Sequence, residues 1–247
     1  MTECAETTST DVLQCEHLRV TLFTVEPQDE KALGSWREVT GEEPAATSSQ
    51  PRKGEHKASG PFARASLSLS IALGRIDWIL APDPERAGEE LGMASVGPFS
   101  DAIKVFPASV TRWLARCPVI SRLALGGAVL LPVASRVEGY EKVQSKLKDV
   151  KLDPKGSRDF LYQINRPRTS QSYEGLQLNR LTKWSVAVFV LLRMTEVSLE
   201  SGTARAANPS YACRTELDLS TTAHAPTAKS RCFQELRKNE PVAALTA

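Results

Sequence analysis

The chain has 247 residues, 41% of them hydrophobic and 24% charged, with a formal net charge of +2. This is enough apolar material for a sizeable core, and too little net charge to argue by itself for nucleic acid or a membrane surface. Five scattered cysteines (Cys4, Cys15, Cys117, Cys213, Cys232) contain no CxxC pair, which argues against a zinc site or a disulfide framework and for free thiols in a reducing compartment.

Residues 1–14 are rich in Thr, Ser and Glu and read as a flexible tail, unlike a basic, apolar leader. "HLRVTLFTV" (17–25) predicts a strand in which Leu18, Val20, Leu22 and Thr24 share one face and Arg19, Thr21, Phe23 and Val25 the other. Residues 40–61 lack an apolar period and are dense in Pro, Gly, Ser and charge, so they are expected to form a mobile loop. In 63–82, Leu67, Leu69, Ile71 and Leu73 alternate with Ser66, Ser68, Ser70 and Ala72. That period of two predicts a strand, and Gly74-Arg75 predicts a type II′ hairpin turn to a return strand over 76–80. A single long strand bulged at Gly74 is the rival.

Asp83, Pro84 and Gly92 bracket a predicted helix over 83–92. A second spans 100–118, broken or kinked at Pro107, with Val110, Trp113, Leu114 and Cys117 on one stripe. Strand character returns over 119–133, with Gly126-Gly127 as a turn or bulge. A helix over 135–147 opens on a capping box of Ser135 and Glu138. Strands are predicted at 160–166, 176–192 and 211–219, and an amphipathic helix at 226–238 places Cys232, Phe233 and Leu236 inward.

The apolar run "LTKWSVAVFVLLRM" (181–194) offers only nine residues, Trp184 to Leu192, between Lys183 and Arg193. A bilayer span needs about 20. The run is therefore read as a central strand covered on both faces, with a buried helix as the alternative. These elements together predict an α+β fold: a mainly antiparallel, strongly twisted sheet or sheets with about four helices packed on them. Residues 15–247 form one domain, divisible into subdomains 15–133 and 134–247. The chain is expected to be cytoplasmic, with no membrane partner.

Catalytic motifs are sparse. The chain holds no P-loop, GxGxxG, HExxH or GxSxG pattern, and its three histidines (His17, His56, His224) lie far apart. No metal or cofactor is implied. Asp77 is a candidate magnesium ligand or base, but pairing with Arg75 accounts for it as well; Cys15 and His17 are at strand spacing for a nucleophile–base pair but lack an orienting third group.

Charge layout is the positive signal. From Lys142 to Lys183 there are ten Lys/Arg and four acids, leaving +6, whereas residues 1–50 hold ten acids and three bases, leaving −7. Arg158, Arg166, Arg168, Arg180 and Lys183 are the candidate phosphate contacts, with Tyr173 and Trp184 as candidate stacking partners. Three functions follow as expectations. The first is a non-catalytic interaction or scaffold protein, a subunit of a multi-protein assembly with a protein partner or a second copy. The second is a nucleic-acid-binding module using 142–183. The third is a metal-dependent phosphodiester enzyme of unrecognised type, whose catalytic acids the sequence does not identify.

Overall fold

The structure is a computed structural model and describes residues 12–84, 92–170, 176–190, 192–193, 205–206 and 208–222. Alternating apolar residues build most of it. Its strands in chain order are β1 (Gln14–Thr24), β2 (Ala46–Gln50), β3 (Glu55–Phe62), β4 (Ala65–Ala72), β5 (Arg75–Pro82), β6 (Gly97–Pro98) and β7 (Ile120–Val133). They continue with β8 (Leu161–Asn165), β9 (Arg168–Thr169), β10 (Gln177–Phe189), β11 (Leu192–Arg193), β12 (Arg205–Ala206) and β13 (Ser210–Thr221). Three helices accompany them: α1 (Ser35–Thr40), α2 (Phe99–Leu114) and α3 (Arg136–Lys146).

Eleven strands form one open sheet, in the order β2-β3-β4-β5-β1-β7-β13-β10-β8, with β6 added on β1 and β9 on β10. Every pairing in it is antiparallel. β11 and β12 make a separate two-stranded ribbon. The N-terminal strand thus lies in the middle, and β7 pairs with β13 to continue the same sheet into the C-terminal half. Among the described residues no helix is long and apolar enough to cross a membrane.

This architecture corrects the expected α+β fold with about four helices. It is a large open antiparallel sheet carrying three helices among the described residues. One physical reason accounts for part of the difference. Residues 40–61, expected to be a mobile loop, instead form β2 and β3, joined by a four-residue turn at Pro51–Gly54 in which Gly54 is left-handed (φ 62°). Their polarity reflects an edge position, where few side chains meet a core. The predicted helices at 83–92 and 226–238 fall largely or wholly outside the described residues, as do residues 1–11 of the expected 1–14 tail, whose last residue, Gln14, instead begins β1.

Inward-facing residues fall in rows across the sheet. One row runs Leu69–Trp78–Val20–Leu125–Leu219, another Ile71–Ile76–Leu22–Leu123. All are buried. The helices cover this face. Trp36 of α1 stacks on Trp78 with centroids 6.0 Å apart, and Trp113 of α2 meets Trp78 edge-on at 5.6 Å. The Nε1 groups of Trp36 and Trp78 are buried without a partner, so shape and burial, not hydrogen bonding, hold this cluster.

The α2 stripe of Val110, Trp113 and Leu114 faces the core as expected, but Pro107 does not break the helix, which runs through it from Phe99 to Leu114. The α3 start is also as expected. Ser135 Oγ accepts from the Glu138 N–H at 3.2 Å, and Glu138 Oε2 accepts from the Ala134 N–H at 2.8 Å.

The β4–β5 hairpin forms, which disposes of the single bulged strand. Its turn residues are Leu73-Gly74, one position earlier than expected, and both have positive φ (35° and 82°), a type I′ turn. Gly126-Gly127 is not a turn; both sit within β7. A Cβ at Gly127 would lie 2.7 Å from the His17 carbonyl and 2.8 Å from Leu18 Cδ2, so glycine lets β1 and β7 approach.

Candidate functional site

Period-two alternation decides where the five candidate cations point. β10 pairs with β13 so that Leu178, Arg180, Thr182 and Trp184 share the helix-bearing face, while Lys183 takes the other. On that open face Lys183 Nζ lies 3.2 Å from Glu216 Oε2. It therefore belongs to an internal ion pair rather than to the candidate patch.

Arg166 and Arg168 do join Arg180. Arg168 pairs with Leu178, and the Arg166 N–H donates to the Arg180 carbonyl at 3.0 Å, which keeps the register and sets Arg166 opposite Arg180. The three guanidinium-bearing positions occupy one face at the β8–β9 edge. Arg166 is exposed, Arg168 and Arg180 half-exposed. None of the three side chains has an acidic partner among the described residues. Arg158 lies apart, exposed in the segment between α3 and β8.

Of the two candidate stacking partners only one is described. Trp184 is 8% exposed and belongs to the core. Tyr173 is outside the described residues. β10 is also not a central strand covered on both faces: it is next to the edge, with Val188 exposed and Val186 half-buried.

Near the middle of the open face the charges satisfy one another. Arg214 Nε donates to Glu16 Oε2 at 2.5 Å and a second nitrogen donates to Glu216. Arg19 Nη2 is 3.5 Å from Asp218 Oδ2. Burial works to lower the Arg214 pKa, but its bonds to Glu16 and Glu216 outweigh this and raise it. Glu216 shows the converse: burial works to raise its pKa, and the hydrogen bonds from Arg214 and Lys183 bring it below the usual value. Asp77 is held by Arg75 Nε at 2.6 Å and accepts from Thr21 Oγ1 at 2.5 Å, so it is a paired carboxylate and not a vacant ligand. Phe23 sits under Arg75 and Arg122, 5.8 and 5.3 Å from its centroid.

Cys15 and His17 do not form a pair. A bulge between them sends Cys15 into the core and His17 to the open face. Burial pushes the Cys15 thiol up to about 12 and Cys213 up to about 11, so neither is a thiolate near neutrality. The Cys213 thiol donates to the Gly139 carbonyl at 3.2 Å. It also lines a cavity of about 50 Å³ beneath α3, with Leu13, Val143, Trp184 and Thr215. Among the described residues no three His, Cys, Asp or Glu side chains converge to hold a metal ion, which leaves the phosphodiester-enzyme reading without a site there.

One feature was missed from the sequence. β2 is an edge strand of five residues, Ala46–Gln50, all exposed, with no charge and no proline inside it. Nothing among the described residues pairs with its outer side. The available signal was the Pro51–Gly54 turn between two polar stretches of matching length. No protein-family model matches the chain, and no curated protein is detectably similar to it in sequence.

Proposed function

We propose that the protein is a non-catalytic interaction protein, a subunit or scaffold of a larger assembly, that joins its partner by strand addition at β2. The observation behind this reading is the unguarded edge. Proteins that avoid edge pairing place lysines, prolines, bulges or covering loops on their outer strands. β2 has none of these within its length, and its register with β3 is regular from Ala46 to Gln50. An extended segment of a protein partner or of a second copy gains main-chain hydrogen bonds there and adds to the sheet. The ion pairs of the open face fit the same reading: they keep that surface hydrated while the edge makes contact.

Ser48→Lys tests it. The side chain is exposed, so the substitution leaves the β2–β3 pair intact while guarding the edge. Mass photometry of the purified protein, together with affinity capture at matched expression, should show an oligomer or a specific partner with the native chain and its loss with Ser48→Lys. A monomer at every concentration, with the same proteins captured by both forms, refutes the proposal.

A further inference from the structure

We infer that Arg166, Arg168 and Arg180 form a site for the phosphodiester backbone of single-stranded nucleic acid, at the sheet edge opposite β2. The inference goes beyond the strand-addition reading and does not depend on it. Arg166 and Arg168 are two positions apart along the extended edge, so their Cα atoms are separated by about 6.6–6.8 Å. That resembles the step between neighbouring phosphates of an extended single strand. Arg180 stands directly opposite Arg166 across the strand pair.

Like charges at directly opposed positions are destabilising, and here no acid among the described residues offsets them. The contrast with the rest of the sheet is specific. Arg19, Arg75, Arg214 and Lys183 each have a carboxylate within 4 Å. An anion between the opposed arginines removes the repulsion, and the guanidinium fork suits phosphate oxygens bidentately. The same face around them offers Leu178 and Leu219, both buried, and half-buried Ile164 and Thr182. Among the described residues it therefore offers no exposed apolar side chain beside the arginines that would select side chains of an acidic peptide. Of the described aromatics on this face, Trp184 is shut in the core and Tyr162, its pairing partner on β8, is half-buried. The recognised feature is repeated backbone charge, without base readout.

The test is fluorescence anisotropy of the full chain with a labelled oligothymidylate of about 20 nucleotides. Three phosphate contacts on a single strand give a salt slope of about −2, so saturable binding at 50 mM salt should weaken roughly twentyfold by 200 mM. The triple variant Arg166→Gln/Arg168→Gln/Arg180→Gln should bind at least about tenfold more weakly at 50 mM and lose most of that slope. Lys183→Gln, on the opposite face, should bind within twofold of the native chain. A duplex of equal length and poly-glutamate should each compete more weakly than unlabelled oligothymidylate.

The thermal midpoint of the triple variant should equal or exceed that of the native chain, since a repulsion is removed. Absence of saturable binding at 50 mM, equal loss in Lys183→Gln, or competition by poly-glutamate or duplex as strong as by the oligonucleotide overturns the inference. A lowered midpoint in the triple variant also overturns it, by showing that the arginines hold the edge together.

Discussion

On the β2–β5 side of β1, the inward-facing Leu67, Leu69, Ile71, Ile76 and Trp78 are all completely shielded from solvent, whereas on the β13–β10–β8 side the same face holds half-buried Ile164, Thr182 and Val186 and three arginines. The first half lies under two helices and a tryptophan cluster. The second lies under α3 and retains a cavity of about 50 Å³. In the first half burial explains the choice of nearly every inward residue. In the second it does not, because arginine is a poor choice for a face whose neighbours are leucines. Residues that packing does not explain are the ones to ask about function, which is why the arginine edge and not the tryptophan cluster carries the ligand inference.

The largest effect expected from this contrast is at Trp78. Trp78→Ala removes the ring that both Trp36 and Trp113 touch and should cost about 3–5 kcal/mol in chemical denaturation. Trp184→Ala, in the second half, removes a ring that already borders a cavity, and should cost at least about 1 kcal/mol less because fewer packed neighbours lose contact. Equal costs for the two would show that the halves are equally well packed. The seam between them comes next. Gly127→Ala places a methyl against the His17 carbonyl and Leu18 and should destabilise by about 1–3 kcal/mol, with β1 forced away from β7. Native-like stability would mean that the seam is loose.

Local pattern made elements legible in both halves. The Leu67–Ile71 alternation announced β4, the α2 stripe showed its inward face, and Ser135 with Glu138 marked the start of α3. What stayed hidden depended on tertiary position. β2 and β3 read as loop because an edge strand with one exposed neighbour needs no apolar period. The five candidate cations were grouped by charge along the chain, but offsets of two and three residues have opposite consequences in a strand. Arg180 shares a face with Arg166 and Arg168, while Lys183, three positions on, faces the other way and meets Glu216. The bulge after Cys15 had no local signal, and it separated a thiol and an imidazole that simple alternation would have put together.

A smaller effect tests the open face through pH. Burial lowers the His17 pKa below 6.5; Glu16 and Glu216 pull it upward, while Arg214 and Arg19 add to the lowering. The folded state thus binds this proton less readily than the unfolded chain. Stability from this group is complete above pH about 6.5 and is lost as the pH falls through the interval down to the folded value. Glu216 adds a second loss at lower pH. Its folded pKa is depressed below 4.5, so its contribution is full above that value and disappears as the carboxylate is protonated. Thermal midpoints measured from pH 7 to 5 should fall for the native chain and fall less for His17→Gln. Parallel profiles would show that the imidazole is solvated, and that the paired charges around it do not enclose it.

The smallest effect lies in the tight half, at Leu73, which with Ala63 (φ 54°) is one of its two left-handed non-glycine residues among those described. Leu73 is the first turn residue of the β4–β5 hairpin, with φ 35°, and its side chain is 82% exposed. A Cβ-bearing residue in the left-handed region costs roughly 1–2 kcal/mol, and leucine lacks the short polar side chain that makes asparagine tolerant there. The register on either side is fixed by Ile71 pairing with Ile76 and Ala72 with Arg75, so the turn cannot relax by slipping without turning buried Ile71 and Ile76 outward. Leu73→Asn creates the Asn-Gly pair that type I′ turns favour and should stabilise the protein by about 0.5–1 kcal/mol, seen as a raised denaturation midpoint at constant slope. Leu73→Ala separates the causes. It removes the exposed apolar side chain but keeps the Cβ in the same backbone region, so it should leave stability nearly unchanged. If alanine stabilises as much as asparagine, the cost at this position comes from exposed apolar surface and not from backbone strain. If neither does, the turn is relaxed and the hairpin register is set by the Ile71–Ile76 pair alone.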